Sequence, residues 1–457
     1  MGSFLFRSLQ TVFFLLLLTF SFSGSGSQPT RQELASAMKR ASEFMMDHVS
    51  YRGGFVWHYS ADLSQRWGEL PARKSQIWVQ PPGTATVGTM FLDAYKATGD
   101  DVYLGYAEKA AGALILGQHP SGGWHYFIDF DSAGIQSWYN EVAVKARGWE
   151  EFYHYYGNCT FDDDTSTSPT RFLLELYTAT LDPRYKGPLL KALDFVLDSQ
   201  YPNGAWPQRY PVQNGFPSDG RPDYTSFYTF NDDVTSNNIY LLLEAHEKLG
   251  NETYLKAARR GMDFYLVSQM PSPQAGWAEQ YDFELKPAWS RSYEPASICL
   301  DQILRYWVDY ELGREKPIER EMPASKNTKA AGYHLGVEYQ DSHYKTFEPR
   351  SIDVASIRRR FSELSTLPLD QVRGQYGRGT ARPLRASDRR AKAEGSPVEI
   401  KELVASLDAR GAWITDIEFL DMLDFTHNPP VAFKGIDTGT FVSNMYKLMN
   451  FLRSKEQ

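Results

Sequence analysis

Cysteine is nearly absent. Two residues, Cys159 and Cys299, in 457 make neither a disulfide scaffold nor a cysteine-based zinc site. They could pair across a long loop in an oxidising compartment or stand as two buried thiols, and the sequence leaves both open. Positive charge is not in excess: 48 Lys plus Arg against 56 Asp plus Glu gives a net charge of −8. Such a chain lacks the basic face that a phosphate backbone requires, so no nucleic-acid partner is expected. Long apolar runs are missing too. The one that stands out, Thr11–Phe20, is too short to span a bilayer. It follows Arg7 and precedes the small residues Ser21–Ser27, which is the layout of a secretory signal peptide over residues 1–27. The expectation is a secreted, monomeric chain without a membrane segment. Also lacking are HExxH, GxSxG, P-loop and EF-hand patterns.

Aromatic residues are plentiful, at 14% with 28 Tyr, 27 Phe and 11 Trp. Their flat faces suit stacking on sugar rings or filling a large core, and composition does not choose between them. They are arranged in a repeat. Gln118–Trp124 reads QHPSGGW and Gln200–Trp206 reads QYPNGAW. A looser copy ends at Trp277, and a degenerate one, GGFVW, ends at Trp57. Each copy follows a segment with apolar residues three and four apart, starting near Ser36, Tyr106, Leu189 and Tyr254. A second helical segment precedes the later copies, from Val87, Pro169 and Asn238. The unit is therefore helix, turn, helix, then a Pro/Gly/Trp loop.

A single hairpin of this kind cannot bury its own apolar face, so copies must stack. A period of about 70 to 80 residues is twice that of a tetratricopeptide array and favours a mainly all-α fold, an α/α toroid, with the Trp loops gathered around one mouth. The division expected is a toroid over 28–312 and a loop-rich segment with a closing helix over 313–457. Within the latter, Ser351–Arg410 carries twelve basic and eight acidic residues in an otherwise acidic chain. It reads as a solvated insertion or as a cationic lid over an anionic ligand. Asn158 and Asn251 each begin a glycosylation sequon.

Two acidic clusters stand just before predicted helices: Asp162-Asp163-Asp164 before Pro169, and Asp232-Asp233 before Asn238. One Asp at a helix start is a cap. Two and three in a row repel one another, and a hard cation such as Ca²⁺, which takes several carboxylate oxygens, relieves that repulsion. Arg291 lies just past the third Trp loop, between Lys286 and Glu294, where its planar fork suits a carboxylate partner.

QYPNGAWPQRYP (Gln200–Pro211), TFNDD (Thr229–Asp233) and KPAWSRSYEP (Lys286–Pro295), in that order and spacing, resemble the family 10 polysaccharide lyases, pectate lyases with an α/α toroid. The segment from Phe161 to Leu173 is similar to the one that precedes these motifs, and the resemblance extends less tightly over Trp67–Asp131. It implies cleavage of an acidic polysaccharide, polygalacturonate, by calcium-assisted β-elimination. It implies Arg291 as catalytic base, and Asp162, Asp163, Asp232 and Asp233 at the metal. Trp206, Arg209, Asn231 and Lys286 are implied at the substrate. Arginine is an unusual base because it is ordinarily never deprotonated. The chain departs from the family pattern in carrying three Asp at 162–164 and an Asp at 233 where shorter members have Gly. Two other readings stay open: a toroidal glycoside hydrolase pairing Asp232 or Asp233 with Glu294 or Asp282, and a secreted glycan-binding protein.

Overall fold

The chain is described by a computed structural model over residues 28–131, 134–145, 155–212, 224–268, 280–285, 366, 368, 395–419 and 431–454. Helices α1 (Arg31–Phe44), α2 (Thr84–Thr98), α3 (Asp101–Leu116), α4 (Gly134–Glu141), α5 (Thr167–Thr180), α6 (Pro183–Asp198), α7 (Val234–Leu249), α8 (Glu252–Ser268), α9 (Pro397–Ala405) and α10 (Thr438–Ser454) dominate it. Every helical segment read from the repeats is present.

Local chemistry places the helix ends. Thr30 and Glu33 form a capping box that starts α1. Gly99, Leu181 and Gly250, all left-handed, stop α2, α5 and α7. Asp100 and Asp182 then cap α3 and α6 through Val102 N and Arg184 N, and Pro183 sits at the first position of α6, where its missing N–H costs nothing.

The hairpins α2–α3, α5–α6 and α7–α8 stack in two layers. One layer runs α10, α2, α5, α7, each packed on the next. Burial shows that this layer is the inner one: α7 buries eleven of its sixteen residues, including Thr235, Ser236 and Asn238, while α6 buries six of sixteen, all on one face. Gly88 lets α2 approach α5 closely, because a Cβ there would lie 2.5 Å from the Phe172 ring.

The loops after the outer helices carry the arrangement around the ring. Gly204 has a positive φ, and a Cβ on it would lie 2.0 Å from the carbonyl oxygen of Arg260 in α8, so only glycine fits. Gly53, Gly122 and Gly411 meet Lys109, Lys191 and Arg40 in the same way. Each loop thus docks on the outer helix of the next unit, and the last described loop docks back on α1. This closes the described ends of the chain onto each other, as a toroid requires.

Three features refine the sequence reading. First, the fold is mainly helical, as expected, and its remainder includes short strands. Strands β1 (His58–Ser60), β2 (Arg66–Trp67), β3 (Gln76–Trp78), β4 (Phe127–Asp129), β5 (Cys159–Thr160), β6 (Arg209–Tyr210), β7 (Tyr228–Thr229), β8 (Gln280–Tyr281), β9 (Thr415–Phe419) and β10 (Val431–Asp437) form small antiparallel sheets. The largest, ordered β2-β1-β10-β9, ties the amino-terminal unit to the carboxy-terminal one. Second, the carboxy-terminal segment holds a further repeat. Gly411-Ala412-Trp413 matches Gly204-Ala205-Trp206, with the Trp413 indole donating to Leu403 O as Trp206 donates to Val196 O. Asp408 hides this copy from a motif search, because it replaces the Gln-x-Pro lead and ties the turn itself through Ala412 N and Arg410 N. Third, Phe55 takes the place of the repeat tryptophan in the first unit: Trp78 N bonds Phe55 O as Thr160 N bonds Trp124 O, and Trp57 lies two residues beyond. The copy ending at Trp277, and most of the basic stretch 351–410, lie outside the described residues.

Candidate functional site

The inner helices α5 and α7 begin with the same device. A strand residue, Thr160 or Thr229, donates its N–H to the repeat tryptophan carbonyl, Trp124 O at 3.0 Å or Trp206 O at 2.9 Å. A hydroxyl six residues on, Ser166 or Thr235, returns to the carbonyl of that strand residue, each at 2.7 Å. Between these ties lie two short 3₁₀ turns, Asp162–Asp164 and Asn231–Asp233. These ties put the turns in one register: Asp162 with Asn231, Asp163 with Asp232, Asp164 with Asp233.

Their backbones share a rare feature. Asp163 and Asp164 have φ of 47° and 62°, and Asp232 and Asp233 have 51° and 57°. A left-handed residue with a Cβ costs roughly 1–2 kcal/mol, less for Asp than for most. Two adjacent residues in this state, repeated in two units, form a tight left-handed corner that brings the turns against each other.

At that junction carboxylate oxygens of Asp162, Asp163 and Asp232 all lie within 4.8 Å of one another. Asp162 is buried and the other two are half-buried. Repulsion between each pair of full charges at this spacing is about 3 kcal/mol at an effective dielectric near 20. The starts of α5 and α7, with their positive dipole ends, offset part of it. Each carboxylate is also held by a neutral donor: Tyr126 Oη at 2.5 Å to Asp162, Gln80 Nε2 at 2.9 Å to Asp163, and Asn231 Nδ2 at 2.8 Å to Asp232.

The donor set fits a hard cation. It offers oxygen only, with no His or Cys, and carboxylates suit Ca²⁺ rather than a soft metal. Ligands about 2.4 Å from one calcium are at most about 4.8 Å apart, and the three carboxylate oxygens satisfy that bound. The Asn231 side-chain carbonyl oxygen is buried and accepts no hydrogen bond among the described residues, leaving a further oxygen beside the cluster.

The structure therefore brings together three of the four residues expected at a metal. Asp233 stands outside the triangle, and its charge acts on Tyr265, whose hydroxyl is pushed well up chiefly by burial, against a hydrogen bond with Ser236 and with Asp233 adding to the rise. Asp164 accepts from Thr167 Oγ1 at 3.0 Å, in the first turn of α5. Trp206 is corrected from groove wall to core: it is fully buried, with its indole spent on Val196 O, so it presents no face to a sugar. Trp124 is the same, bonded to Leu114 O. Arg209 is also buried, 4.3 Å from the centre of the Tyr156 ring and 5.2 Å from that of Tyr126. Asn158 cannot carry a glycan in this fold, since it is buried and donates to Pro211 O. Cys159 is a buried thiol, pushed up to about 11 by burial. Arg291, Lys286, Glu294 and Cys299 lie outside the described residues.

Gln80 and Tyr126 escaped the sequence reading. Gln80 precedes the Pro81-Pro82-Gly83 entry to α2 at the register position of Asp162 and Asn231, with Val79 N on Tyr126 O matching Phe161 N on Gln208 O. Only the three-dimensional repeat reveals that equivalence.

The pectic acid lyase family profile matches residues 136–367. No curated protein sequence matches the chain. Among solved structures, a mutant of a family 10 polysaccharide lyase from Cellvibrio cellulosa in complex with trigalacturonic acid is 19% identical, with a TM-score of 0.30 over 48% of this chain. This chain spans 65% of the length of that protein. The family 10 polysaccharide lyase from Cellvibrio cellulosa itself is 18% identical over 49% of this chain and 71% of its own, at 0.29. A glycoside hydrolase family 76 mannosidase from Bacteroides thetaiotaomicron is 10% identical over 92% of this chain and 99% of its own, at 0.46.

Proposed function

The chain belongs to the pectic acid lyase family, and from that premise we propose that it is a secreted lyase that cleaves polygalacturonate by calcium-assisted β-elimination. The observation that carries the reading is the meeting of Asp162, Asp163 and Asp232 from two repeat turns within 4.8 Å. A bound Ca²⁺ there supplies a positive centre for a uronate carboxylate, whose negative charge grows as the C5 proton leaves.

The chain's own part is to keep that centre in place. Asp162, Asp163 and Asp232 hold the cation, and Asn231 offers a neutral oxygen beside it. Tyr126, Gln80 and Asn231 fix the carboxylate rotamers, so little reorganisation is left for the moment of reaction. Arg291 is the proposed proton acceptor, by its place in the family motif. The substrate is an anion and the protein carries a net charge of −8, so binding needs a local positive centre, which the cation and Arg291 provide. Secretion follows from the leader expected over residues 1–27. Among the described residues no helix is long and apolar enough to cross a membrane.

The test is ultraviolet absorbance during incubation with polygalacturonate, with calcium and with a chelator. A rise from the unsaturated product that needs calcium and is lost in Arg291→Ala supports the proposal. New reducing ends without that absorbance contradict it and point to hydrolysis. Binding without any product points to a lectin-like role.

A further inference from the structure

Gln80 lies outside the family match, in a unit that motif comparison leaves without a role, yet it reaches the centre of the site. Its side chain is fully buried and makes two opposite hydrogen bonds. Trp78 Nε1 donates to Oε1 at 3.1 Å, and Nε2 donates to Asp163 Oδ2 at 2.9 Å. An indole N–H can only donate, so its partner must be the amide oxygen and the amide nitrogen must face Asp163. The orientation is therefore set by chemistry. The backbone is equally constrained: Gln80 N donates to Tyr126 O at 3.2 Å, and Gln80 O accepts from Trp57 Nε1 at 3.0 Å.

The register of the repeats sharpens the point. The same position carries Asp162 in the second unit and Asn231 in the third. Asn231 performs the equivalent task there, donating to Asp232 Oδ2 at 2.8 Å. A Glu at position 80 would still satisfy Trp78 but would turn an acceptor toward Asp163. A shorter or apolar side chain would leave that carboxylate with one donor fewer.

We propose that Gln80 is a positioning residue for the cation site, and that the amino-terminal unit before residue 136 is a working part of the site, through Gln80 and Tyr126. The proposal rests on the calcium reading above. Asp163 is the ligand in the middle of the triangle's first turn, and its backbone is strained there, so its side chain needs an external hold. Trp78 holds Gln80, and Gln80 holds Asp163.

The experiment is isothermal titration of the metal-free full chain with CaCl₂, for wild type, Gln80→Met and Gln80→Glu, each first checked for native near-ultraviolet circular dichroism. Removing the donor in Gln80→Met weakens calcium binding about tenfold, the lower end of what an outer-sphere partner contributes. Gln80→Glu places two carboxylates in contact, which share a proton when metal is absent. Its calcium binding then releases an extra proton and becomes more pH-dependent than in wild type, a change that a purely structural role does not produce. Should Gln80→Met fail to fold, the near-isosteric Gln80→Glu carries the test alone. Folded variants with wild-type affinity and wild-type proton release overturn the proposal and leave the calcium reading standing. A wild-type chain that binds no calcium removes both.

Discussion

The two acidic turns have one backbone and different side chains. Both are left-handed at their second and third residues, both follow a repeat tryptophan, and both open an inner helix. The first reads Asp-Asp-Asp and the second Asn-Asp-Asp. Their middle residues, Asp163 and Asp232, do the same thing: each is half-buried, each takes a hydrogen bond from an amide, and both face the junction. Their first residues differ. Asp162 brings a third charge, held by Tyr126, while Asn231 brings a neutral carbonyl and an amide. The comparison teaches that the site arises from repetition followed by divergence. The fold supplies two copies of a strained corner, and substitution at one position balances charge against hydrogen bonding.

The most severe break in the comparison is to delete a shared middle residue. Asp163→Ala and Asp232→Ala should each lower calcium-dependent lyase activity by about 100-fold or more, because loss of a ligand exceeds loss of an outer-sphere partner. Initial rates of ultraviolet absorbance across a calcium series measure it. Equal losses confirm that the two turns contribute alike; a loss confined to one would make the other turn a cap only.

A second test concerns the tryptophans that precede the turns. Trp206→Ala should cost about 3–5 kcal/mol of stability, as a large core side chain does. Trp206→Phe should cost less, losing chiefly the bond to Val196 O. Thermal melts read both. Substrate affinity of folded Trp206→Phe should stay near wild type, whereas a groove-wall role would raise KM selectively.

Making the turns alike sharpens the comparison. Asp162→Asn keeps an acceptor for Tyr126 and removes one charge. Its metal-free form should melt higher, and its calcium affinity should fall about tenfold, roughly 1.4 kcal/mol. Asn231→Asp should move the metal-free melting temperature the other way. Calorimetry with and without chelator gives both values.

The smallest expected effect lies at the residue after each tryptophan, His125 in one unit and Pro207 in the next. Burial, then the charge of Arg209, hold His125 well below its ordinary value of 6.5. Its neutral form is thus the one compatible with folding. The sign is that stability is full above about pH 6.5 and declines as pH falls toward the depressed folded value. Melting temperatures between pH 7 and 5 should fall, and the fall should be shallower in His125→Asn.

Much of this was legible in the chain. The helices follow from apolar spacing at three and four, and the acidic pairs from their place before Pro169 and Asn238. Other features were hidden for physical reasons. Composition left the aromatic residues open between stacking and core, and the family resemblance put Trp206 at the substrate; in the fold the indoles of Trp124 and Trp206 are spent on carbonyls ten residues upstream, Leu114 and Val196. Gln80 was hidden because its neighbours are Pro81-Pro82, which share no side chain with the acidic turns. The carboxy-terminal copy was hidden because only Gly411-Ala412-Trp413 remains of its motif. Asp233 looked equivalent to Asp232 in the chain, but consecutive left-handed residues send successive side chains to different places.

The most direct measurement is calcium stoichiometry and affinity by titration of the full chain, for wild type and for the single variants Asp163→Ala and Asp232→Ala. The account predicts one ion that both variants lose, since neither turn alone supplies enough oxygens. Retention of wild-type affinity in either variant would contradict a site shared between the two repeats.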